Sequence, residues 1–181
     1  MKVRLDAYRT DYNHGSALRR AMWYATSLLF FRSAMPWPYG LKRFWLRLFG
    51  AKVGSGVVIK PSVHIKYPWK LAISDYTWIG EEVWIDNLDQ VTIGAHCCIS
   101  QGAYLLTGNH DYSTSTFDLI TEPILLEDGV WIGAKAIVGP GVTCKSHSVL
   151  GAGSNTFADL KAMGIYQGNP ATWKRQRDIN A

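Results

Sequence analysis

At 181 residues, with 48% hydrophobic and 18% charged side chains, the chain has the size and composition of one globular domain, which excludes a disordered or fibrous polypeptide. Its net charge of +5 sits in the first 50 residues, where nine Lys or Arg stand against Asp6 and Asp11; the other 131 residues hold ten basic and twelve acidic side chains. A near-neutral body argues against a nucleic-acid binder and for an anionic ligand or surface near the N-terminus.

Residues 1–50 read as a basic, helical N-terminal cap. Leu18, Ala21, Met22, Ala25, Leu28 and Leu29 follow helical spacing. After Pro36-Trp37-Pro38 the spacing returns more cleanly at Leu41, Phe44, Trp45, Leu48 and Phe49, with Lys42, Arg43 and Arg47 opposite. Such helices suit two tasks: closing the open end of a repeat fold, or lying on an anionic membrane surface. The apolar run Ala21 to Phe31 lies too deep for a secretory signal, lacks a cleavage pattern, and at eleven residues is too short to span a bilayer. Three cysteines, two of them adjacent, make no disulfide framework, so a reducing cytoplasm is expected.

Residues 51–158 carry the repeat that decides the fold. Every sixth residue falls in register: Val53, Ile59, Ile65; Ile73, Ile79, Ile85; Ile93, Ile99, Leu105; then Leu126, Ile132, Val138, Cys144, Leu150, Thr156. Thirteen of these fifteen are Leu, Ile or Val, types that make up 40 of the 181 residues, so chance would supply only about three. Gly follows the register residue at 54, 80, 94, 133, 139 and 151, and a small or β-branched residue recurs four positions after it, as at Val57, Thr77, Cys97, Ala103, Ala136 and Ser148. A period of six fits neither the 3.6 of a helix nor the 2 of a half-buried strand. It fits short strands meeting at corners, the aliphatic residue pointing inward and glycine relieving the backbone at the turn. Three strands close a triangular coil of about eighteen residues, and coils stacked at about 4.8 Å share one core. The expected fold is therefore mainly β, a parallel β-helix of about five coils, with residues 159–181 as a short C-terminal tail or helix. Cys97, Cys98 and Cys144 read as packing residues.

The register slips by two residues between Ile65 and Ile73, and again between Ile85 and Ile93. Leu105 and Leu126 stand 21 positions apart, three more than a whole coil, and the pattern vanishes over the loop 107–123. A long irregular segment inside a regular stack is usually functional, and this one contains His110.

The recurring [LIV]-G-x-x-[small]-x, the loop Thr107-Gly108-Asn109-His110-Asp111, the return Glu122-Pro123-Ile124 and the coil Val130-Trp131-Ile132-Gly133 together resemble the hexapeptide-repeat acetyltransferases. The resemblance implies that the prism winds left-handed, that His110 is the catalytic base, and that acetyl-CoA is the donor, with no metal. It implies acceptor contacts near Asp86 and Asn87 in the second slip, which as turn formers have a plain structural reading too, and near Asn109 and Asp111 in the loop. Asp111 reads equally as an orienter of the imidazole or a solvated carboxylate. Trp131, Gly133 and Ala134 match the coil beside the pantetheine arm, and Gly151, Ala152, Gly153 and Ser154 a later coil that lets the arm lie against backbone. Where relatives carry a Lys this chain has Ala158, which leaves Lys161, or Lys174, Arg175 and Arg177, for the CoA phosphates, unless these are a solvated basic tail. Phe49-Gly50-Ala51-Lys52-Val53-Gly54, Pro61-Ser62-Val63, Tyr67-Pro68-Trp69-Lys70-Leu71 and Ile99-Ser100-Gln101 resemble the colanic-acid-type polysaccharide O-acetyltransferases in particular. That implies a homotrimer acting on a carbohydrate acceptor in exopolysaccharide or lipid-linked glycan assembly, with acceptor and CoA sites in clefts between prisms.

The chemistry is coherent apart from the resemblance. A thioester is already activated, whereas a sugar hydroxyl is a weak nucleophile near neutral pH, so the protein must supply proton removal and alignment, and a positioned imidazole contributes roughly 10²–10⁴-fold. Three rivals stand beside this reading: an acetyltransferase for an antibiotic or simple sugar, a β-helix scaffold without catalysis, and a three-histidine zinc enzyme. The last lacks the close paired spacing it needs among His14, His64, His96, His110 and His147.

Overall fold

The computed structural model describes residues 2–8 and 10–180. The register residues point inward as the six-residue period requires: Ile59, Ile79, Ile85, Ile93, Ile99, Leu105, Leu126, Ile132 and Val138 are fully buried. Their strands stack into three parallel sheets, one per face of the prism. The first face contains Lys52–Val53, Leu71–Ile73, Val91–Ile93, Ile124–Leu126 and Thr143–Cys144. On the second face lie Val58–Ile59, Trp78–Ile79, Cys98–Ile99, Trp131–Ile132, Val149–Leu150 and Gly164–Gly168, and on the third His64–Ile65, Trp84–Asp86, Tyr104–Leu106, Ile137–Val138 and Asn155–Thr156. Register residues pair with register residues from coil to coil, as in Val53 to Ile73 to Ile93 to Leu126 to Cys144, so one continuous aliphatic core runs along the axis.

Two expectations are corrected here. The solenoid makes about six turns, because Leu160 bridges to Cys144 and Gly164–Gly168 pairs parallel with Val149–Leu150. The expected short C-terminal tail or helix is instead largely sheet: Gly164–Gly168 and Ala171–Gln176 make an antiparallel hairpin that continues the second face. A last coil with open strand edges offers backbone groups that need partners, and the hairpin supplies them.

The glycines after the register residue also do something other than turn the chain. The left-handed corners fall three positions after the register residue, at Gly56, Ser62, Tyr76, Glu82, His96, Gly102, Gly129, Lys135, Gly141, His147 and Gly153, where glycine is one option among several. At Gly80 and Gly133 the constraint is close stacking instead: a Cβ at Gly80 would lie 2.7 Å from the Gln101 backbone N, and one at Gly133 2.5 Å from that of Ala152.

Helices α1 (Ala17–Phe30) and α2 (Tyr39–Leu48) cap the first coil. Trp23, Phe31, Leu46 and Phe49 are buried against the core. The basic face of α2 turns toward the prism. Lys42 Nζ donates to the Lys60 carbonyl at 2.8 Å, Arg43 Nη1 to Val57 at 2.8 Å, and Arg47 Nη2 to Val53 at 2.7 Å, while Trp23 Nε1 of α1 donates to Ile65 at 2.9 Å. Lys42 is fully buried, and burial pushes its ammonium down to about 8. Among the described residues before α1 the one regular element is the short turn Leu5–Ala7, so the helical cap begins at residue 17.

A stacking glycine and a corner glycine should respond differently to a methyl group. Gly80→Ala is expected to cost about 3 kcal/mol through overpacking. Gly153→Ala, at φ 65° with nothing within 4 Å of the added carbon, should cost about 1 kcal/mol of backbone strain. Equal losses in denaturant unfolding would contradict this division of roles.

Candidate active site

The loop 107–123 is an arm and not a free loop: Gly108–His110 pairs antiparallel with Leu119–Thr121. Its root is fixed by Thr107, fully buried, whose hydroxyl donates to the Asp86 carbonyl at 2.9 Å and accepts the Asp89 N–H at 2.9 Å. A Cβ at Gly108 would lie 2.6 Å from Leu88 Cδ1, so any larger residue at the start of the arm would have to displace the Leu88 side chain.

His110 stands opposite Leu119 on this arm, half-buried, with its ring stacked on Phe117 at 4.4 Å and 6° between planes. Its Nδ1 lies 2.8 Å from the Phe117 carbonyl oxygen. A carbonyl only accepts, so Nδ1 carries the proton and the neutral ring keeps its lone pair on Nε2. Phe117 itself has φ 54°, a strained value for a side-chain-bearing residue, and that turn aims its carbonyl at the imidazole. No motif announces this backbone acceptor, and the sequence reading missed it.

Asp111 is not the orienter. Its Oδ1 accepts from the Ser113 N–H at 2.9 Å and from the Ser113 hydroxyl, which holds the carboxyl below its ordinary range and closes the turn. Asn109 is exposed beside His110 and accepts the His110 N–H at 2.8 Å through Oδ1. Asn87 is corrected as an acceptor contact: it is fully buried, accepting from the Tyr67 N–H at 3.0 Å and donating to the Tyr67 and Lys70 carbonyls at 2.6 and 3.0 Å. It ties the two register slips together, one above the other.

Asp86 is mostly buried, with 14% of its side chain exposed. It pairs with Lys66 at 2.8 Å and accepts from the Tyr104 hydroxyl at 3.2 Å; burial and this carboxylate push the Tyr104 phenol up to about 12, so it stays a donor. Asp86 lines a groove of about 640 Å³ between α1 and the third face, with Arg20, Tyr24, Arg32, Lys66 and Trp84 around it. His64, Trp84 and Tyr104 stack up that face at 5.4 and 5.3 Å between centroids.

The N-terminal strip also reaches the arm, a contact that the reading of residues 1–50 as one cap did not foresee. The Arg4 N–H donates to the Ser115 carbonyl at 2.7 Å, and the Tyr8 ring lies 6.1 Å from that of His110. The Tyr12 hydroxyl donates to the Leu88 carbonyl and Lys70 Nζ to Tyr12 at 3.1 Å, while burial raises the Tyr12 phenol well above its usual range.

The residues expected near a donor lie on and beside the second face. Trp131 is 46% exposed, its Nε1 donating to Ser100 Oγ at 2.9 Å. Along the outer side of that sheet the register runs Trp131, Val149, Ile165, Arg175, which spans about 14 Å at strand spacing. Ala134 is half-buried and Gly151 likewise, whereas Ala152 and Gly153 are exposed and present nearly bare backbone. Ser154 is corrected: it is buried, and its Oγ accepts the Gly168 N–H at 2.9 Å, so it anchors the terminal hairpin. Lys161, Lys174 and Arg175 are exposed, Lys174 at the bulge of the hairpin, and Arg177 is used to fasten that hairpin to the Gly129 and His147 carbonyls at 3.0 and 3.1 Å. No group of three or more His, Cys, Asp or Glu among the described residues is placed to hold a metal ion.

No family model matches the chain. It is 42% identical over 166 residues to an Escherichia coli (strain K12) protein described as a colanic acid biosynthesis acetyltransferase, WcaF, covering 92% of this chain and 91% of that one. A hexapeptide-repeat-containing acetyltransferase of Vibrio cholerae superposes with a TM-score of 0.81 at 26% identity, covering 92% of this chain and 96% of that one. A galactoside acetyltransferase in complex with coenzyme A shares the fold, with a TM-score of 0.81 at 22% identity over 97% of this chain and 90% of that one. The triangular solenoid with its histidine-bearing arm thus defines a hexapeptide-repeat acetyltransferase. Within that class the chain belongs to the WcaF family.

The three cysteines are free and differ in burial, which gives a direct check on the coil geometry. Cys97 and Cys144 point inward; burial pushes the Cys97 thiol up to about 11 and raises Cys144 further. Cys98, expected as packing, instead sits half-buried on the outer side between Trp78 and Trp131. Under native conditions an alkylating reagent is expected to label Cys98 alone, read by peptide mass spectrometry. Labelling of Cys97 or Cys144 ahead of Cys98 would contradict the assignment.

Proposed function

We propose that this protein moves an acetyl group from acetyl-CoA to a sugar hydroxyl, with His110 as general base in a ternary complex. The observation that carries the reading is the Nδ1–H bond to the Phe117 carbonyl, which leaves Nε2 as the acceptor for a proton. Nε2 takes the proton as the hydroxyl oxygen attacks the thioester carbon and the C–O bond forms. Collapse of the tetrahedral intermediate breaks the C–S bond, and the imidazolium returns its proton to the departing thiolate. No covalent enzyme intermediate is needed, because holding both substrates in attack geometry removes most of the entropic cost.

The groove at Asp86 suits a carbohydrate: Trp84, 47% exposed, offers apolar indole surface for a pyranose ring to pack against, and the Asp86 carboxylate accepts from hydroxyls. Asn109, exposed beside the base, is a further acceptor contact. On the donor side the pantetheine arm would lie along Trp131, Gly133, Ala134, Gly151, Ala152 and Gly153, with phosphates drawn to Arg175, Lys174 or Lys161. A homotrimer would bring donor and acceptor sites of adjacent prisms together. The likeness to a colanic acid biosynthesis protein supports an acceptor among the glycans of exopolysaccharide or lipid-linked oligosaccharide assembly.

Release of free CoA from acetyl-CoA, followed across a panel of sugars and lipid-linked glycans, tests the reaction. His110→Ala is expected to lower turnover at least a hundredfold with an unchanged melting temperature and an unchanged acetyl-CoA-induced thermal shift. Turnover within a few-fold of the parent would remove His110 from the mechanism.

A further inference from the structure

From Tyr12 to Ser74 the chain contains no Asp or Glu and ten Lys or Arg. These residues build α1, α2 and the first coil, so one whole end of the prism is cationic. The basic side chains of α2 are hydrogen-bonded, but to backbone carbonyls, and a carbonyl leaves their charge uncancelled. The ion pair of Lys66 with Asp86 is the exception among the described residues of this stretch.

The same end is apolar at its surface. Because α2 turns its basic face to the prism, its other face looks outward, and Phe44 and Leu48 are each more than half exposed. On α1, Leu18, Met22 and Leu29 are equally exposed and fall on one helical stripe. The two helices meet here, since Leu18, Met22 and Leu48 flank one trough of about 660 Å³ floored by Trp45 and Phe49. Met35 in the connection between the helices adds to the exposed set. No helix among the described residues is long and apolar enough to cross a membrane.

We infer that this end of the prism docks on the surface of an anionic phospholipid bilayer, with Leu18, Met22, Phe44 and Leu48 entering the headgroup region. Net positive charge around a cluster of long apolar side chains is the combination such an interface recognises. A second copy of the chain is a poor occupant, because it would press the same uncompensated cations together. The inference stands apart from the acetyl-transfer chemistry: either can fail without the other.

Co-sedimentation with vesicles of phosphatidylcholine, alone or with phosphatidylglycerol, tests it. Binding is expected only with phosphatidylglycerol present and should fall steeply with added salt. The triple variant Leu18→Ser, Met22→Ser, Leu48→Ser is expected to bind anionic vesicles at least tenfold more weakly. Its melting temperature and acetyl-CoA-dependent turnover on a soluble acceptor should match the parent, since the three side chains make little buried contact. No binding to anionic vesicles, equal binding by the variant, or a change in oligomeric state of the variant by light scattering would each overturn the proposal, the last by assigning the face to a second copy.

Discussion

A solenoid of short strands has an end with no preceding coil, and the structure is organised around satisfying that end. The carbonyls of Val53, Val57, Lys60 and Ile65 meet donors from Arg47, Arg43, Lys42 and Trp23. Buried carbonyls without partners cost about 1–3 kcal/mol each, so leaving those of Val57, Lys60 and Ile65 bare, whose bonds are part-buried or buried, would remove a large fraction of a domain's stability. Long cationic side chains suit the task because they reach across the gap and carry donors only. That choice has two consequences. It concentrates positive charge at one end, and it leaves Phe44 and Leu48 of α2 on the outside while Leu46 is buried.

The opposite end follows the same rule with different means. There the hairpin Gly164–Gly168 and Ala171–Gln176 extends the second face, and Ser154 and Arg177 pin it in place. Between the two ends the coils are so regular that departures stand out. The slips at residues 66–70 and 86–90 are stacked and tied by Asn87, and together they hold the root from which the arm with His110 projects. A rigid prism fixes where the arm begins, and the Phe117 carbonyl fixes which nitrogen of His110 is free. The site is thereby built from backbone as much as from side chains.

The prism was legible in the sequence because a six-residue period is a direct imprint of one inward residue per strand, repeated down three faces. The arm that carries His110 was legible because it breaks that period. What the sequence could not convey were contacts between distant segments. Asn87 and Asp86 are adjacent and both polar, yet one is sealed between two slips and the other faces a groove. Ser154 looks like a small residue on a backbone-lined track, but its hydroxyl serves a hairpin fourteen residues on. The amphipathicity of α2 was visible while its orientation was not, since a helix that supplies donors to an open coil turns its charges inward against the usual expectation. Glycine was rightly tied to the repeat but for the wrong reason, because close stacking of coils and left-handed corners use different positions.

A crystal structure with coenzyme A and an acceptor glycan tests the central claim most directly. The account requires His110 Nε2 within about 3 Å of the acceptor hydroxyl, with Nδ1 still on the Phe117 carbonyl and the acceptor's ring in the groove at Asp86. A complex in which the imidazole faces away from both substrates, or in which another side chain holds that hydroxyl, would contradict it.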